Sequence, residues 1–262
     1  MIGNRATLRF ETTTADITRS SSNPDDYFEK LNVQLFDALG DKVLDKVCTQ
    51  EVGDVDDFGS VELQLADGTY SVVAVGHSSI KSATIKSTQM VQFTASDGEK
   101  LTDTFCYCGS ISVSDGHRQF DLTMNRVAAK FRVVMTDDDI PPQLAKIKFD
   151  YTGGSANFNP STGMGCTKST QSETRAVSTD GIYEIYTFPY QSDICKLKVT
   201  LSALTADGTI IYKRTFEDVP VTRNRITTYR GEVFGEGGGQ LTQTGFGFVV
   251  NGDWEGEDIY EF

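Results

Sequence analysis

Acidic residues are the most numerous groups in this sequence that could bind a metal ion, and one run has part of the necessary spacing. Asp54-Val55-Asp56-Asp57-Phe58-Gly59 begins like a calcium-binding loop, in which alternate side-chain oxygens ligate the cation. Phe58 stands where the third oxygen ligand belongs, and no Glu follows six positions after Gly59. We therefore interpret this run, and the run Asp137-Asp138-Asp139, as solvated acidic turns.

Histidines and cysteines lack the spacing of a zinc site. His77 and His117 are the only histidines, and they fit isolated polar turn residues. Cys106 and Cys108 would point to one face of a strand, but two thiols cannot complete a tetrahedral site. We therefore expect no metal and no cofactor, and five buried thiols. The five cysteines, whose odd number and irregular spacing also do not fit a disulfide-dense scaffold, are Cys48, Cys106, Cys108, Cys166 and Cys195.

Sequence motifs of catalysis are missing. There is no G-x-S-x-G elbow, H-E-x-x-H helix or Walker loop, and Gly245-Phe246-Gly247 has Val250 where a dinucleotide fingerprint needs its third glycine. A carboxylate pair suited to glycoside hydrolysis could form among 37 acidic residues, but nothing selects one. We predict a protein that is not an enzyme and keep an unrecognised hydrolase as a third hypothesis.

Basic residues suggest internal pairing and proteolysis. Arg223, Arg225 and Arg230 cluster near a strand, and in an acidic protein we expect them to pair with its own carboxylates. A protease that cuts after basic residues could act near the N-terminus at Arg5, Arg9, Arg19 or Lys30. We select Arg19 and Arg5 as candidate processing sites, because Arg19 lies in a long polar run that we expect to be exposed.

The composition argues against a nucleic acid partner and against a membrane-spanning helix. The chain has 262 residues and a formal net charge of −13, so association with a phosphate backbone would begin against repulsion, and we expect no nucleic acid partner. No run approaches the roughly 20 consecutive apolar residues of a membrane helix. The first five residues lack the basic and then apolar run of a secretory signal, which fits either a cytosolic protein or an exported one whose signal was removed.

Alternation of apolar and polar residues with a period of two dominates, which predicts an all-β protein. Thr7 to Phe10 form an early strand, and Val43 to Val47 are expected to return as the hairpin partner of the strand at 31–35. Residues 78–92 follow no single period and receive no assignment. Further hairpins are predicted around Asp67-Gly68, Asp115-Gly116 and Asp207-Gly208.

The strand pattern predicts two domains, 1–125 and 126–262, with the boundary inside a continuous strand-rich run. The tetrapeptide Ala-Asp-Gly-Thr occurs at 66–69 and again at 206–209, which gives weak support to two similarly built sandwiches.

The last segment, about 240–262, follows the flexible spacer Glu236-Gly237-Gly238-Gly239 and contains alternating apolar residues. Two interpretations stay open: a last strand held in its own domain, or a strand that pairs with another subunit. The candidate residues of an exchanging strand are Phe246, Phe248, Val250 and Trp254.

Four stretches carry a resemblance to a known family. Leu31-Asn32-Val33-Gln34-Leu35-Phe36-Asp37-Ala38-Leu39-Gly40 and Leu65-Ala66-Asp67-Gly68-Thr69-Tyr70-Ser71-Val72-Val73-Ala74-Val75-Gly76 resemble the first domain of the fimbrillin superfamily of Bacteroidales-type pili. Leu122-Thr123-Met124-Asn125-Arg126-Val127-Ala128-Ala129-Lys130-Phe131 and Asn224-Arg225-Ile226-Thr227-Thr228-Tyr229-Arg230-Gly231 are similar to its second-domain signatures. The anchor and minor (accessory or tip) branch is the most similar.

The resemblance implies two consecutive transthyretin-like Greek-key β-sandwich domains and export as an outer-membrane lipoprotein of the cell surface. It implies a place in a fimbrium as anchor, accessory or tip subunit, joined to other pilus subunits by strand exchange after proteolysis removes an N-terminal strand. No lipid-accepting Cys stands near the N-terminus of this sequence, so a lipid anchor would belong to a full-length precursor.

Our leading hypothesis is therefore a non-enzymatic structural subunit of a surface pilus, whose adhesive ligand on host or bacterial surfaces is unknown. The alternative is a surface glycan-binding β-sandwich lipoprotein. Trp254 is the only tryptophan, which offers little for an aromatic stacking platform, although Tyr and Phe could serve.

Overall fold

Almost every regular element of this protein is a β-strand, which confirms the all-β prediction. The computed structural model describes residues 4–12, 24–80, 83–93, 101–114, 116, 118–234 and 254–262. Within these residues there is one short 3-10 helix, Pro24–Asp26, and the rest of the regular structure is strand. The strands are β1 Asn4–Thr12, β2 Lys30–Phe36, β3 Cys48–Glu51, β4 Ser60–Leu65, β5 Gly68–His77, β6 Thr84–Ser87, β7 Met90–Gln92, β8 Thr104–Val113, β9 Arg118–Arg126, β10 Ala129–Met135, β11 Lys146–Thr152, β12 Asn157–Asn159, β13 Met164–Gly165, β14 Gln171–Ala176, β15 Ile182–Thr187, β16 Ile194–Leu204, β17 Ile210–Thr222, β18 Ile226–Gly231 and β19 Glu257–Glu261.

The first sandwich is built from one sheet with the strand order β3-β2-β5-β8-β9-β1-β4. Strands β8 and β9 pair only at Phe105↔Arg126 and Cys106↔Asn125, so the sheet divides there into two parts. Apolar side chains of both parts meet in one core, which includes Leu8, Leu31, Phe105 and Met124. The burial of these alternate side chains accounts for the period of two in the sequence.

A small sheet with the order β13-β12-β7-β6 includes β6 and β7, which lie in the stretch 78–92 that received no assignment. Strand β2 is buried along Leu31 to Phe36 on both of its faces, and β6 contacts it. Ile85, Val91 and Phe158 of the small sheet are themselves fully buried.

The second sandwich consists of two four-stranded sheets, β15-β10-β18-β19 and β14-β11-β16-β17. Its core includes Phe131, Phe149, Val199 and Tyr229, which come from both sheets.

The two sandwiches share one topology. The orders β4-β1-β9 and β3-β2-β5-β8 correspond to β15-β10-β18 and β14-β11-β16-β17, with the strands used in the same chain order. In both, the first strand runs parallel to the last of its set and antiparallel to its other neighbour. Strand β19 is an additional strand of the second sandwich.

Three of the local predictions need correction. The strands that flank Asp67-Gly68 exist, but β4 pairs with β1 while β5 pairs with β2 and β8, so the predicted hairpin is wrong. The strand partner of β2 is β3, Cys48–Glu51; Val43 to Val47 form no strand, although the Val43 N–H donates to the Leu35 carbonyl at 2.8 Å. The repeated tetrapeptide connects β4 to β5 at 66–69 and β16 to β17 at 206–209, which are not equivalent turns.

The chain separates into two compact units, and neither is one continuous stretch. The first takes its described residues from Met1–Thr94, Thr102–Val127 and Asn157–Met164. The second takes them from Ala95–Leu101, Ala128–Ala156 and Gly165–Phe262. The domain bounds 1–125 and 126–262 stay a prediction.

Candidate functional site

The N-terminal strand β1 is an interior strand, with a hydrogen-bonded neighbour on each side. It pairs antiparallel with β4 from Asn4↔Leu65 to Arg9↔Ser60, and parallel with β9 from Ala6↔Arg118 to Thr12↔Met124. The Phe10 N–H also donates to the Gly59 carbonyl at 2.9 Å. The backbone of β1 is therefore engaged along its whole length.

The inward side chains of β1 complete the core of the first sandwich. Ala6, Leu8 and Phe10 are buried, while Arg5 and Arg9 are exposed. Burying a side chain such as Leu8 contributes roughly 2 kcal/mol. Removal of β1 would leave a groove one strand wide, bordered by the backbones of β4 and β9.

Of the two candidate processing sites, the structure describes only Arg5. Arg5 lies within β1, and its guanidinium forms an ion pair with Glu62 on β4. A protease must bind its substrate as an extended and unpaired segment, so the pairing of β1 on both sides shields the Arg5 peptide bond in the folded protein. Arg19 lies outside the described residues.

The C-terminal strand β19 pairs with a strand of its own unit. It runs parallel to β18 from Ile226↔Glu257 to Arg230↔Glu261. Two of its carboxylates form ion pairs: Glu257 lies 3.1 Å from Arg132, and Asp258 lies 3.1 Å from Arg225.

The inward side of β19 adds aromatic rings to the core of the second sandwich. Tyr260 packs on Tyr229 with ring centroids 4.9 Å apart, and Phe262 meets Phe216 on β17 at 5.0 Å. Arg214 lies over the Phe262 ring at 4.4 Å. Aromatic pairs of this kind contribute about 0.5–1.5 kcal/mol each beyond area burial.

Trp254 is held just before β19 and is only 6% exposed. The Lys130 ammonium lies 5.1 Å from the Trp254 ring and 5.3 Å from the Tyr186 ring, and it pairs with Glu184 at 3.1 Å. The Glu255 N–H donates to the Asn224 carbonyl at 3.0 Å. The structure thus places Trp254 in its own unit. The other candidate residues of an exchanging strand, Phe246, Phe248 and Val250, lie outside the described residues.

The pairing of arginines with carboxylates of the same chain is confirmed at two positions. Arg223 lies 2.7 Å from Asp193, and Arg225 forms the ion pair with Asp258 on β19. The second of these contacts has a role that sequence reasoning missed, since it fastens the terminal strand.

His77 differs from the isolated turn residue that the sequence suggested. It ends β5 and is fully buried, and the Ser79 N–H donates to its Nδ1 at 3.1 Å. Burial, together with the nearby Lys30 ammonium, lowers the pKa of His77 to about 4. His117 lies outside the described residues.

The remaining metal and thiol candidates do not assemble into a site. Among the residues that the structure describes, no group of three or more His, Cys, Asp or Glu side chains could hold a metal ion. All five thiols are free, and only Cys106 is fully buried, so the expectation of five buried thiols is wrong. The other four are half-buried: Cys48, Cys108, Cys166 and Cys195. Burial raises the pKa of the Cys106 thiol well above its usual value, which keeps it protonated and unreactive.

In the described part of the chain no helix is long and apolar enough to cross a membrane.

Sequence comparison identifies one family. The sequence model described as "Family of unknown function (DUF6562)" matches residues 3–261. Comparison with curated proteins found no match.

Three solved structures with a similar fold come from Bacteroides. A candidate polysaccharide-binding protein (DUF1812) of Bacteroides thetaiotaomicron is 10% identical, with a TM-score of 0.54 over 80% of this chain and 79% of that chain. A candidate adhesin of Bacteroides ovatus is 14% identical, with a TM-score of 0.53 over 82% of each chain. A candidate adhesin of Bacteroides thetaiotaomicron is 16% identical, with a TM-score of 0.50 over 82% and 81%. At these identities the likeness shows the fold alone.

Proposed function

The chain belongs to the DUF6562 family, and on that premise we propose that it is a non-enzymatic structural subunit of a cell-surface pilus. It joins other subunits by exchange of a β-strand and occupies an anchor, accessory or tip position. It is exported to the cell surface, and any lipid anchor belongs to its precursor. The fold that it shares with candidate adhesins of Bacteroides supports a surface role.

The observation that carries the proposal is the position of β1. It is the first strand of the chain, yet it lies between β4 and β9 with its apolar side chains in the core. Arg19 follows it in a polar stretch of sequence. One cut after Arg19 would leave β1 attached by non-covalent contacts alone, so that a strand of another subunit could replace it.

The replacing strand must reproduce the alternation of β1. Ala6, Leu8 and Phe10 supply three inward apolar side chains at every second position. Phe246, Phe248 and Val250 supply the same spacing. Main-chain hydrogen bonds to β4 and β9 would provide affinity, and the three apolar side chains would fix the register.

Limited proteolysis of the full chain tests the first step. We expect an arginine-specific protease to give one discrete N-terminal cut after Arg19, followed by a ladder of oligomers on native electrophoresis. Arg19→Ala should abolish both, whereas Arg9→Ala, which removes an exposed arginine within β1, should leave both unchanged.

Two results would count against the proposal. One is an intact N-terminus, by mass spectrometry, under conditions that degrade an unfolded control. The other is a clean cut that yields neither oligomers nor binding of a peptide that carries residues 243–252.

One observation favours a second candidate function, the binding of a glycan at the cell surface. The similar structure from Bacteroides thetaiotaomicron is described as a candidate polysaccharide-binding protein. A glycan array probed with the labelled full chain would decide this alternative, and an array without a single reproducible signal would exclude it.

A further inference from the structure

One end of the second sandwich gathers loops from both of its sheets. Met135, at the end of β10, donates its N–H to the Gly181 carbonyl, and Thr136 donates to Gly231. On the other sheet, Ala145 donates to the Leu204 carbonyl beside the 205–209 turn. We call this surface the acidic end, and it consists of residues 136–146, 177–182, 205–210, 230–234 and 261–262.

The acidic end is named for its charge. Its segments carry seven carboxylates and two cations, a net charge of −5, and a third cation reaches it from β17, where Arg214 donates to the Glu232 carbonyl at 3.1 Å. Within the described residues, none of these carboxylates takes part in an ion pair. The carboxylates are those of Asp137, Asp138, Asp139, Asp180, Asp207, Glu232 and Glu261, and the cations are those of Lys146 and Arg230.

The opposite end of the same sandwich shows that this charge is local. Its segments, 152–156, 165–170, 187–194, 222–226 and 254–256, carry three cations and two carboxylates. Arg223 is neutralised there by Asp193, and Arg225 by Asp258 of the neighbouring strand β19. The uncompensated negative charge is therefore concentrated at one end of the unit.

Two of the carboxylates are held in their ionised form by the turns that contain them. The Ser178 hydroxyl and the Ile182 N–H donate to Asp180, and these bonds lower its pKa. The Thr205 hydroxyl and the Thr209 N–H do the same for Asp207. The turns therefore fix both the position and the charge of these groups.

Exposed isoleucines accompany the charge. Ile140, Ile182 and Ile210 are 47%, 40% and 56% exposed. They are three of the four large apolar side chains that are exposed in the described part of this unit, and Ile194 at the opposite end is the fourth. Exposed apolar side chains among charged ones are typical of a protein-binding surface.

A groove opens at the same end. It has a volume of about 660 Å³ and is lined by Thr136, Arg230, Gly231, Glu232, Glu261 and Phe262. That volume lies within the range of about 300–1,000 Å³ that is usual for ligand sites and far exceeds the space of one cation.

We propose that the acidic end is a docking surface for a basic segment of a partner protein, in which lysine or arginine residues alternate with aliphatic ones. The cations of the partner would meet the exposed carboxylates that have no cation beside them, chiefly Asp138 and Asp139, and its aliphatic side chains would cover the isoleucines. The groove would take one of the long basic side chains between Glu232 and Glu261. This surface is separate from β1 and does not depend on strand exchange.

Direct binding of a defined peptide to the full chain tests the proposal. The probe is a fluorescent peptide with four repeats of Lys-Val-Ser, and its counterpart has four repeats of Glu-Val-Ser. We expect fluorescence anisotropy to show saturable binding of the lysine peptide alone, with an affinity that falls as salt is added.

Two sets of substitutions locate the binding. The first combines Asp138→Asn, Asp139→Asn, Glu232→Gln and Glu261→Gln, and should weaken the binding of the lysine peptide about tenfold. The matched control combines Asp25→Asn, Asp26→Asn, Asp54→Asn and Asp56→Asn. These four residues are exposed in the first unit, so the control removes the same charge elsewhere and should change the affinity less than about twofold.

The apolar part of the surface has its own test. Ile140→Ser together with Ile210→Ser should weaken binding without changing its dependence on salt. Amide signals of 136–146 and 205–210 should move in nuclear magnetic resonance spectra when the peptide is added. All the substituted residues are exposed, so melting curves should confirm that each variant is folded.

Three outcomes would overturn the proposal. Equal losses in both charge variants would mean non-specific attraction to an acidic protein. Signal changes on addition of calcium chloride but not of the peptide would assign the surface to a cation. Self-association abolished by the isoleucine substitutions, without peptide binding, would assign it to a second copy of the chain.

Discussion

At the scale of single residues, the fold controls the protonation of His77. Its imidazole is buried, the Ser79 N–H occupies one ring nitrogen, and the Lys30 ammonium opposes a second positive charge. The folded protein therefore binds a proton at His77 only near pH 4, whereas an unfolded chain binds one near the usual histidine pKa of about 6.5.

This difference predicts the dependence of stability on pH. The pKa of His77 is lowered in the folded state, so its contribution to stability is complete above pH 6.5 and is lost as the pH falls from 6.5 towards 4. The loss amounts to about 3 kcal/mol of unfolding free energy. Urea denaturation between pH 7.5 and 4.5 should show this decline, and it should be shallower in His77→Asn.

Nuclear magnetic resonance titration gives the independent check. The His77 ring signal should not titrate above pH 5, while His117 serves as the second histidine in the same spectrum. An ordinary midpoint near pH 6.5 for His77 would contradict the buried environment described here.

At the scale of elements, β12 is a strand that pairs with β7, which lies far away in the sequence. It pairs with β7 through Asn157↔Gln92 and Phe158↔Val91, and Phe158 is fully buried in the first unit. Phe158→Ala should therefore destabilise the first unit by about 3–5 kcal/mol.

Hydrogen exchange can locate that effect. Protection of the amides of 84–92 should fall in Phe158→Ala, while the amides of 182–187 in the second unit should keep theirs. Ser161→Ala, which removes a hydroxyl at an exposed turn beside β12, provides a milder substitution in the same segment. Loss of protection confined to 182–187 would mean that β12 belongs with the second unit.

The strands that the sequence predicted well have one face in a core and one in solvent. Strand β1 has this pattern, because Leu8 and Phe10 are buried while Arg9 is exposed. Residues 78–92 resisted assignment because β6 and β7 are short, and because β7 pairs with β12, about 65 residues further along the chain. The period of apolar residues along the sequence cannot by itself identify a strand partner so far away.

The same limit explains the wrong hairpin at Asp67-Gly68. A turn of Asp and Gly fixes the local reversal of the chain but not the identity of the strands that pair across it. In the first sandwich this turn carries the chain from β4, beside β1, to β5, beside β2. The charged contacts that hold β19 were equally hidden, because Arg132 and Glu257 are 125 residues apart.

At the scale of the whole molecule, the two sandwiches have the same topology but differ in the strands that complete their sheets. The second has the extra strand β19, fastened by Trp254, ion pairs and aromatic rings. The first has the N-terminal strand β1 between two neighbours, with a potential cleavage point in the sequence after it. Assembly with other subunits depends, in the proposed function, on whether another strand can replace β1.

Strand complementation measures this most directly. The full chain would be cut after Arg19, freed of residues 1–19 and mixed with a peptide of residues 243–252, and its melting temperature would be recorded. We predict that the peptide restores the melting temperature to that of the uncut protein, and that a peptide with Phe246→Ser, Phe248→Ser and Val250→Ser does not. Equal melting temperatures with either peptide, or no loss when residues 1–19 are removed, would contradict the account.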